Sequence, residues 1–155
     1  MIRFPGLYFA FFLLLISCGK SHFYYGNQPI SNGVWSYDDT LTYSLDIADT
    51  TSRYDIGLEV KHSTDFAFQN LYIKILTDFP DGETVSQTLP IELADHTGIW
   101  FGRCSGSHCQ VGIQLQENAR FDRIGQHTFR ILQYMRENPI NGIEKINFFL
   151  DRKPW

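Results

Sequence analysis

Hydrophobic and polar residues alternate with a period of two through most of the chain after residue 34. The segments 41–47 and 54–61 place an apolar side chain at nearly every second position, and 71–75 continues the pattern. Alternation of this kind is typical of a β-strand with one buried and one solvated face. Segment 130–137, RILQYMRE, is short for a helix and still alternates at its start, so we interpret it as strand.

Turn residues separate these segments. DFPDGE at 78–83 combines a proline, which fixes φ, with Asp-Gly, which tolerates positive φ. A strand follows at about 84–88, and Pro90 marks a sheet edge or a strand end. The segments 126–134 and 143–151 are joined by the turn-rich ENPING. Nine short strands without a helix predict an all-β, two-layer antiparallel β-sandwich over 34–155, with a jelly-roll-like arrangement preferred.

The amino terminus indicates export and lipidation. Arg3 precedes an apolar run at 7–16, about 15 Å long as a helix and roughly half the hydrocarbon thickness of a bilayer, which is typical of a secretory signal peptide. Leu15-Ile16-Ser17-Cys18 resembles a bacterial lipobox, in which the thiol is acylated and the chain is cleaved before the cysteine. We therefore predict a cleaved signal peptide at 1–17. Cys18 is predicted to be the lipid-attachment residue, whose acyl chains anchor the protein in the bilayer. Residues 18–33, rich in Gly, Ser, Asn and Pro, are predicted to form the anchor and tether.

Charge and motifs exclude several classes of function. The net charge is −4 and no basic cluster is present, which argues against a nucleic-acid partner. The chain has no phosphate-binding loop, dinucleotide fingerprint, calcium loop or G-x-S-x-G motif. We expect no enzyme activity, no catalytic residue and no small-molecule cofactor.

The other titratable residues predict no site. His22 falls in the predicted tether, and His62 and His127 fall in strands that we expect to lie near ordinary surface charges. The carboxylates at 38–39, 46 and 49 are interpreted as strand ends and turns. A two-carboxylate hydrolase needs a pair placed in a cleft, and nothing in the sequence indicates one.

The segment Cys104-Ser-Gly-Ser-His-Cys109 has three interpretations. Two thiolates with His108, and His96 as a fourth ligand, could bind zinc, but no second ligand pair at suitable spacing is present. The cysteines could also be free thiols. In an exported protein a disulfide across a short hairpin is favoured, and Cys18 is already assigned to lipid, which leaves an even pair. Closing so short a loop contributes about 2 kcal/mol.

Aromatic residues suggest a second kind of function. Exposed aromatic rings on a β-sandwich can stack against sugar rings. Trp35 is the tryptophan that we expect to be exposed, whereas Trp100 and Phe101 at a strand start are expected in the core. Trp35 is therefore a candidate ligand-stacking residue.

Two blocks of the sequence resemble the GldH family of gliding motility lipoproteins of Bacteroidetes. They are TDFPDGETVSQTLPIELADHTGIWFGRCSG at 77–106 and HTFRILQYMRENPINGIEKINFFLDRK at 127–153, and they follow the lipobox and the Val34-Trp35 strand. The most specific elements are these: Phe79, Pro80 and Gly82; Leu93, Ala94, Asp95, Gly98, Trp100 and Gly102; Gln133, Met135 and Arg136; Gly142, Ile143 and Glu144. The cysteine pair departs from the family pattern.

The resemblance implies a cell-envelope lipoprotein associated with gliding and type IX secretion, with no catalytic residue to transfer. Residues 19–22 place no Asp after Cys18 and form no acidic stretch, which favours the periplasmic leaflet of the outer membrane. Our first hypothesis is a non-catalytic accessory lipoprotein that acts by contact with envelope motility or secretion proteins. The alternative is a glycan-binding lipoprotein that uses Trp35 and neighbouring aromatics.

Overall fold

The computed structural model describes residues 22–154. This part of the chain contains eleven β-strands and one 3₁₀ turn, at Ser31–Gly33. The predicted signal peptide, the predicted lipid-attachment residue Cys18 and Trp155 lie outside it. The strands are β1 Tyr24–Pro29, β2 Val34–Trp35, β3 Leu41–Ile47, β4 Tyr54–Ser63, β5 Asn70–Asp78, β6 Thr84–Glu92, β7 Arg103–Ser105, β8 His108–Ala119, β9 Gly125–Gln133, β10 Ile140–Asn141 and β11 Ile143–Arg152.

The strands form two antiparallel sheets packed face to face, as the alternating pattern predicts. One sheet has five strands in the order β1-β11-β4-β8-β7, and the other has four in the order β3-β9-β5-β6. The short strands β2 and β10 pair separately. Among the eight long strands, the orders β1-β11-β4-β8 and β3-β9-β5-β6 are those of a jelly roll. The predicted all-β sandwich is confirmed.

Apolar side chains from the two inner faces fill the space between the sheets. The ring of Phe148 from β11 lies 5.4 Å from that of Tyr43 and 4.6 Å from that of Phe129, both on the four-stranded sheet. The Tyr43 hydroxyl donates a hydrogen bond to the carbonyl oxygen of Ile146 at 2.7 Å, so this buried polar group is satisfied. These contacts join β11 of the five-stranded sheet to β3 and β9 of the four-stranded sheet.

The expected tether is largely wrong, because β1 belongs to the sandwich. It pairs with β11 from Tyr24 opposite Leu150 to Pro29 opposite Lys145. The Gly, Asn and Pro residues of β1 are typical of a loop. They are compatible with a strand here because β1 lies at the edge of its sheet and its proline is the last residue. Gly26 is needed because a Cβ atom at that position would overlap the Tyr43 ring. The folded domain therefore begins before residue 34.

The two ends of the sandwich differ in their distance from the predicted lipid. His22 lies beside Asp151, and the backbone N–H of Phe23 donates to the carbonyl oxygen of Leu150 at 2.9 Å. Four residues of extended chain span at most about 14 Å, so His22 can lie no farther than that from Cys18, the predicted lipid-attachment residue. We therefore call this the anchor end. A strand as long as β11 spans about 30 Å. The opposite end, which we call the far end, contains β2, β10 and the turn between β7 and β8.

Candidate functional site

Three exposed tyrosines lie at the far end of the four-stranded sheet. Tyr72, on the outer face of β5, is 41% exposed, and Tyr134, just after β9, is 53% exposed. Tyr37, which follows β2, is 42% exposed, and its hydroxyl donates to the carbonyl oxygen of Met135 at 2.5 Å. We call Tyr37, Tyr72 and Tyr134 the tyrosine surface. The sequence analysis did not predict this surface. The one indication was Tyr72, an aromatic residue at a position of the 71–75 alternation that faces solvent.

Gln133 holds the loop that presents Tyr134. Its buried side chain accepts a hydrogen bond from the Met135 N–H at 2.8 Å. Its Nε2 donates to the carbonyl oxygen of Glu137 at 3.3 Å and to Oδ1 of Asn138 at 3.2 Å. These three bonds hold the backbone that follows Tyr134 in one conformation, which is a form of preorganisation.

Two grooves flank Tyr134. One has a volume of about 920 Å³ and lies toward Phe68 and Tyr72, and the other, of about 580 Å³, lies toward Tyr37. The Lys74 ammonium lies 5.2 Å from the centre of the Tyr134 ring, a cation–π contact. Arg136 lines both grooves. Within residues 22–154 neither cation has a carboxylate oxygen within 4.0 Å, although Glu137 lines the larger groove.

The outer edge of β6 is a second candidate site. Among the described residues, β6 pairs only with β5, from Asn70 opposite Glu92 to Asp78 opposite Thr84. The segment 84–88 is exposed, and it contains no charged residue. Val85, whose side chain is directed inward, is 47% exposed. Edge strands usually carry a lysine, a bulge or a cover, and β6 has only Pro90 near its end. Pro90 thus lies on an edge strand, as predicted.

The opposite side of the sandwich is closed. There β1 lies against β3, and the Gln28 side chain donates to the carbonyl oxygen of Thr42 at 3.1 Å. On the β6 side, a groove of about 500 Å³ separates Pro90–Glu92 from the segment 111–114 of β8 and is lined by Phe101. Inward-directed Leu89 and Ile113 are only partly buried there. Phe101 is exposed and Trp100 packs on the core, so the core expectation holds for Trp100 and is wrong for Phe101.

Cys104 and Cys109 are joined by a disulfide across the β7–β8 hairpin. They face each other in the strand register, as the favoured interpretation expected. They are therefore not thiolate ligands, and no group of three His, Cys, Asp or Glu side chains in residues 22–154 is arranged to hold a metal. Beside the hairpin, Glu144 Oε1 lies 2.5 Å from His108 Nδ1 and Oε2 lies 3.1 Å from Lys61 Nζ.

Glu144 is the centre of that polar group. Burial raises its pKa, but hydrogen bonds from Lys61 and His108 outweigh burial and leave the pKa below its ordinary value. The carboxylate is therefore charged at neutral pH and links β11 to β4 and to the hairpin. This arrangement explains Glu144 as a structural residue at the far end.

Trp35 is not a stacking residue, so that expectation is wrong. Its side chain is completely buried, and the indole N–H donates to the carbonyl oxygen of Asp39 at 2.7 Å. The short strand β2 pairs Trp35 with Ile140 of β10, which closes the far end of the core. The residues that follow Trp35 include Ser36, Asp38 and Asp39, and the pairing with Ile140 across more than 100 residues is not visible in the local pattern.

His62 and His127 also differ from the expectation, since both are fully buried rather than near surface charges. Each Nδ1 lies near a carbonyl oxygen, of Ser63 at 2.9 Å for His62 and of Gly125 at 3.1 Å for His127. Each Nε2 lacks a partner among the described residues. The rings pack against aromatic side chains, such as Trp100, whose ring centre is 4.7 Å from that of His62.

The carboxylates considered for hydrolysis organise turns, as expected. Asp49 accepts hydrogen bonds from the backbone N–H groups of Ser52 and Thr51 at 2.7 and 3.0 Å. The Ser52 backbone bond is the main cause of an Asp49 pKa of about 2. Asp39 accepts from the N–H of Ser36 at 3.0 Å. These side chains cap local structure.

Comparison with known families decides the assignment. The model of the family described as GldH lipoprotein matches residues 22–148. The chain belongs to the GldH lipoprotein family. The family match begins where the described structure begins, two residues before β1, and includes both the tyrosine surface and the β6 edge. In residues 22–154 no helix is long and apolar enough to cross a bilayer.

Two relatives carry the GldH name. A protein named gliding motility lipoprotein GldH homolog, from Christiangramia forsetii, is 29% identical over 140 residues, which cover 90% of this chain and 85% of the relative. Gliding motility lipoprotein GldH of Flavobacterium johnsoniae is 23% identical over 159 residues, covering 98% of each chain. A chain in the structure of infectious bursal disease virus Gt strain aligns over 84% of this chain and 40% of its own length, at 16% identity. Its TM-score is 0.21, at which the similarity carries no argument.

Proposed function

We propose that this protein is a non-catalytic accessory lipoprotein of the gliding motility and type IX secretion apparatus. It is held in the periplasmic leaflet of the outer membrane by acylated Cys18 and acts through contacts with other envelope proteins. Membership of the GldH lipoprotein family and the names of the two relatives support the association with motility. The absence of Asp directly after Cys18 supports the location.

The open edge of β6 is the observation that carries the protein-contact part of the proposal. An extended segment of a partner can add to such an edge by main-chain hydrogen bonds, with specificity from alternate side chains. The added strand would cover the inward-directed side chains of Val85, which is exposed, and Leu89, which is only partly buried. It would also extend over the groove beside Phe101. The edge is nine residues long and uncharged until Glu92, so several consecutive backbone pairs can form.

A charge placed on the inner side of β6 tests the proposal. Val85→Lys introduces the feature with which natural edge strands avoid pairing. Ser44→Lys is the matched control, because Ser44 is exposed on β3, the edge that lies against β1. Each variant is expressed as the full lipoprotein with a tag after Trp155, and native envelopes are cross-linked before the tag is recovered.

We expect the unchanged protein and Ser44→Lys to recover motility or secretion proteins and to support colony spreading. Val85→Lys is expected to lose most of the recovered partner, and Cys18→Ala to lose it through mislocalisation. Equal recovery by Val85→Lys and Ser44→Lys would contradict a contact through β6. Full recovery with Cys18→Ala would contradict the role of the anchor.

A further inference from the structure

The tyrosine surface has the chemistry of a binding site, and the contact proposed at the β6 edge does not involve it. The three residues are 41–53% exposed and lie together, and a contiguous exposed aromatic patch is a mark of an interaction site. The supporting loop is fixed by Gln133 through three hydrogen bonds. The backbone next to Tyr134 is therefore held in place by the fold.

The charges around the rings indicate the sign of the ligand. Lys74 lies against the Tyr134 ring and Arg136 lines both grooves, and among the described residues neither has a carboxylate within ion-pair distance. This contrasts with Arg130 on the same face, which is paired with Asp78 at 2.7 Å. The chain as a whole has a net charge of −4, whereas the two grooves together are lined by two cations, Lys74 and Arg136, and one carboxylate, Glu137, so the site is locally positive. It complements a ligand that carries carboxylates.

The size and the aromatic lining of the larger groove suit a ligand that presents sugar rings. The larger groove, of about 920 Å³, has room for more than one sugar ring, and its lining includes the aromatic side chains of Phe68, Tyr72 and Tyr134. The C–H faces of sugar rings can stack on these aromatic rings. Ligand carboxylates can then pair with Arg136, which lines both grooves, and with Lys74, which lines the smaller groove on the other side of Tyr134. Sugar hydroxyls can donate to the Glu137 carboxylate. An apolar peptide side chain would fill the groove without using these charges.

We propose that the tyrosine surface binds peptidoglycan, an acidic polymer of amino sugars that carries lactyl and stem-peptide carboxylates. The inference rests on the periplasm-facing location proposed above. The site lies at the far end, about one strand length or 30 Å from the residues that follow the lipid anchor. It is therefore directed away from the outer membrane, toward the periplasm, where the polymer is found.

Sedimentation with purified sacculi tests this inference. The full-chain lipoprotein, in detergent, is mixed with sacculi, and the bound fraction is measured against protein concentration. Tyr134→Ala is expected to weaken binding about tenfold, since stacking on one ring contributes on the order of that factor. Tyr134→Phe keeps the ring and is expected to bind within about twofold of the unchanged protein. Tyr25→Ala is the control, because Tyr25 is equally exposed on the other sheet.

A charge variant distinguishes an acidic glycan from a neutral one. Lys74→Glu is expected to weaken binding to sacculi at least tenfold and to leave binding of uncharged chitin oligomers within about twofold. Circular dichroism of each variant verifies that the fold is intact. No sedimentation of the unchanged protein, or equal sedimentation of Tyr134→Ala, would overturn the inference. So would a photo-crosslinker in place of Glu137 that captures only protein in native envelopes.

The outcomes also separate this inference from the proposed function. If sacculi are not bound while Val85→Lys still prevents partner recovery, the glycan inference fails and the protein-contact proposal stands. If sacculus binding depends on Tyr134 while Val85→Lys has no effect on partner recovery, the reverse holds. Tyr134→Ala is expected to leave partner recovery through β6 unchanged.

Discussion

The backbone N–H of Tyr134 donates a hydrogen bond to the carbonyl oxygen of Tyr72 at 2.8 Å. This bond continues the pairing of β9 with β5 one step past the end of β9, so the two tyrosines are neighbours through their main chains. Their positions are thus set by the sheet and not by contacts between the rings. The same sheet carries the open edge of β6, two strands away from β9.

Replacing Trp35 is expected to damage the fold. Trp35→Ala removes a fully buried side chain and its hydrogen bond to Asp39, which should lower the free energy of unfolding by about 3–5 kcal/mol. Urea unfolding monitored by circular dichroism measures the change. Tyr134→Ala, at an exposed position, is the control and should stay within about 0.5 kcal/mol of the unchanged protein. A loss below about 1 kcal/mol for Trp35→Ala would contradict the burial.

Gln133 is expected to stabilise the loop after β9. Gln133→Ala removes three hydrogen bonds, of which water can replace a part, and should lower the free energy of unfolding by about 2 kcal/mol. It should also speed amide hydrogen exchange at Met135. Gln126→Ala, an exposed position on the same strand, should do neither. Unchanged exchange at Met135 in Gln133→Ala would show that the side chain does not hold the loop.

The disulfide is expected to act as a local staple. Reducing Cys104–Cys109 should lower the free energy of unfolding by about 2 kcal/mol and leave the sandwich folded, because the closed loop is short. Unfolding in urea with and without dithiothreitol measures the difference. A Cys104→Ala variant should not respond to the reductant. Complete unfolding on reduction would contradict this account.

Burial of His62 should make stability depend on pH. Burial lowers the pKa of His62 below 6.5, against smaller raising effects of the Ser63 carbonyl and Glu144. The unfolded chain therefore takes up a proton near pH 6.5 that the native state does not. The free energy of unfolding is highest above pH 6.5 and falls as the pH is lowered, by at most about 1.4 kcal/mol per pH unit for one histidine.

The variant His62→Phe isolates this effect. Urea unfolding between pH 7.5 and pH 5 should show a shallower fall in stability for the variant than for the unchanged protein, whatever its absolute stability. His22→Phe, at the anchor end, provides a comparison on a histidine that is not fully buried. Equal slopes for His62→Phe and the unchanged protein would mean that His62 takes up its proton in the native state.

Local alternation predicted most of the sandwich. The predicted strands 126–134 and 143–151 are β9 and β11 within one residue at each end, because each has a buried face with period two. The strand β1 could not be predicted in this way. Its sequence YYGNQP has little apolar character, and it is ordered by pairing with β11 at the opposite end of the chain.

The parity of the alternation also indicates which single polar or aromatic residues are buried or exposed. His62 shares the parity of Leu58 and Val60, and His127 that of Phe129, so both histidines could have been assigned to the core. Tyr72 has the parity of the solvated face, which indicated the tyrosine surface. Tyr134 and Trp35 lie outside the long strands, where parity does not apply and only tertiary contacts decide exposure.

Site-specific photo-crosslinking in native envelopes tests most directly whether the protein acts through the β6 edge. A photoreactive residue is placed at Ser86 on β6 or at Ser44 on β3, in the full lipoprotein with native anchoring. The account predicts that Ser86 forms an adduct with a motility or secretion protein, that Ser44 does not, and that Val85→Lys removes the Ser86 adduct. Adducts of equal yield at both positions, or none with such proteins at Ser86, would contradict it.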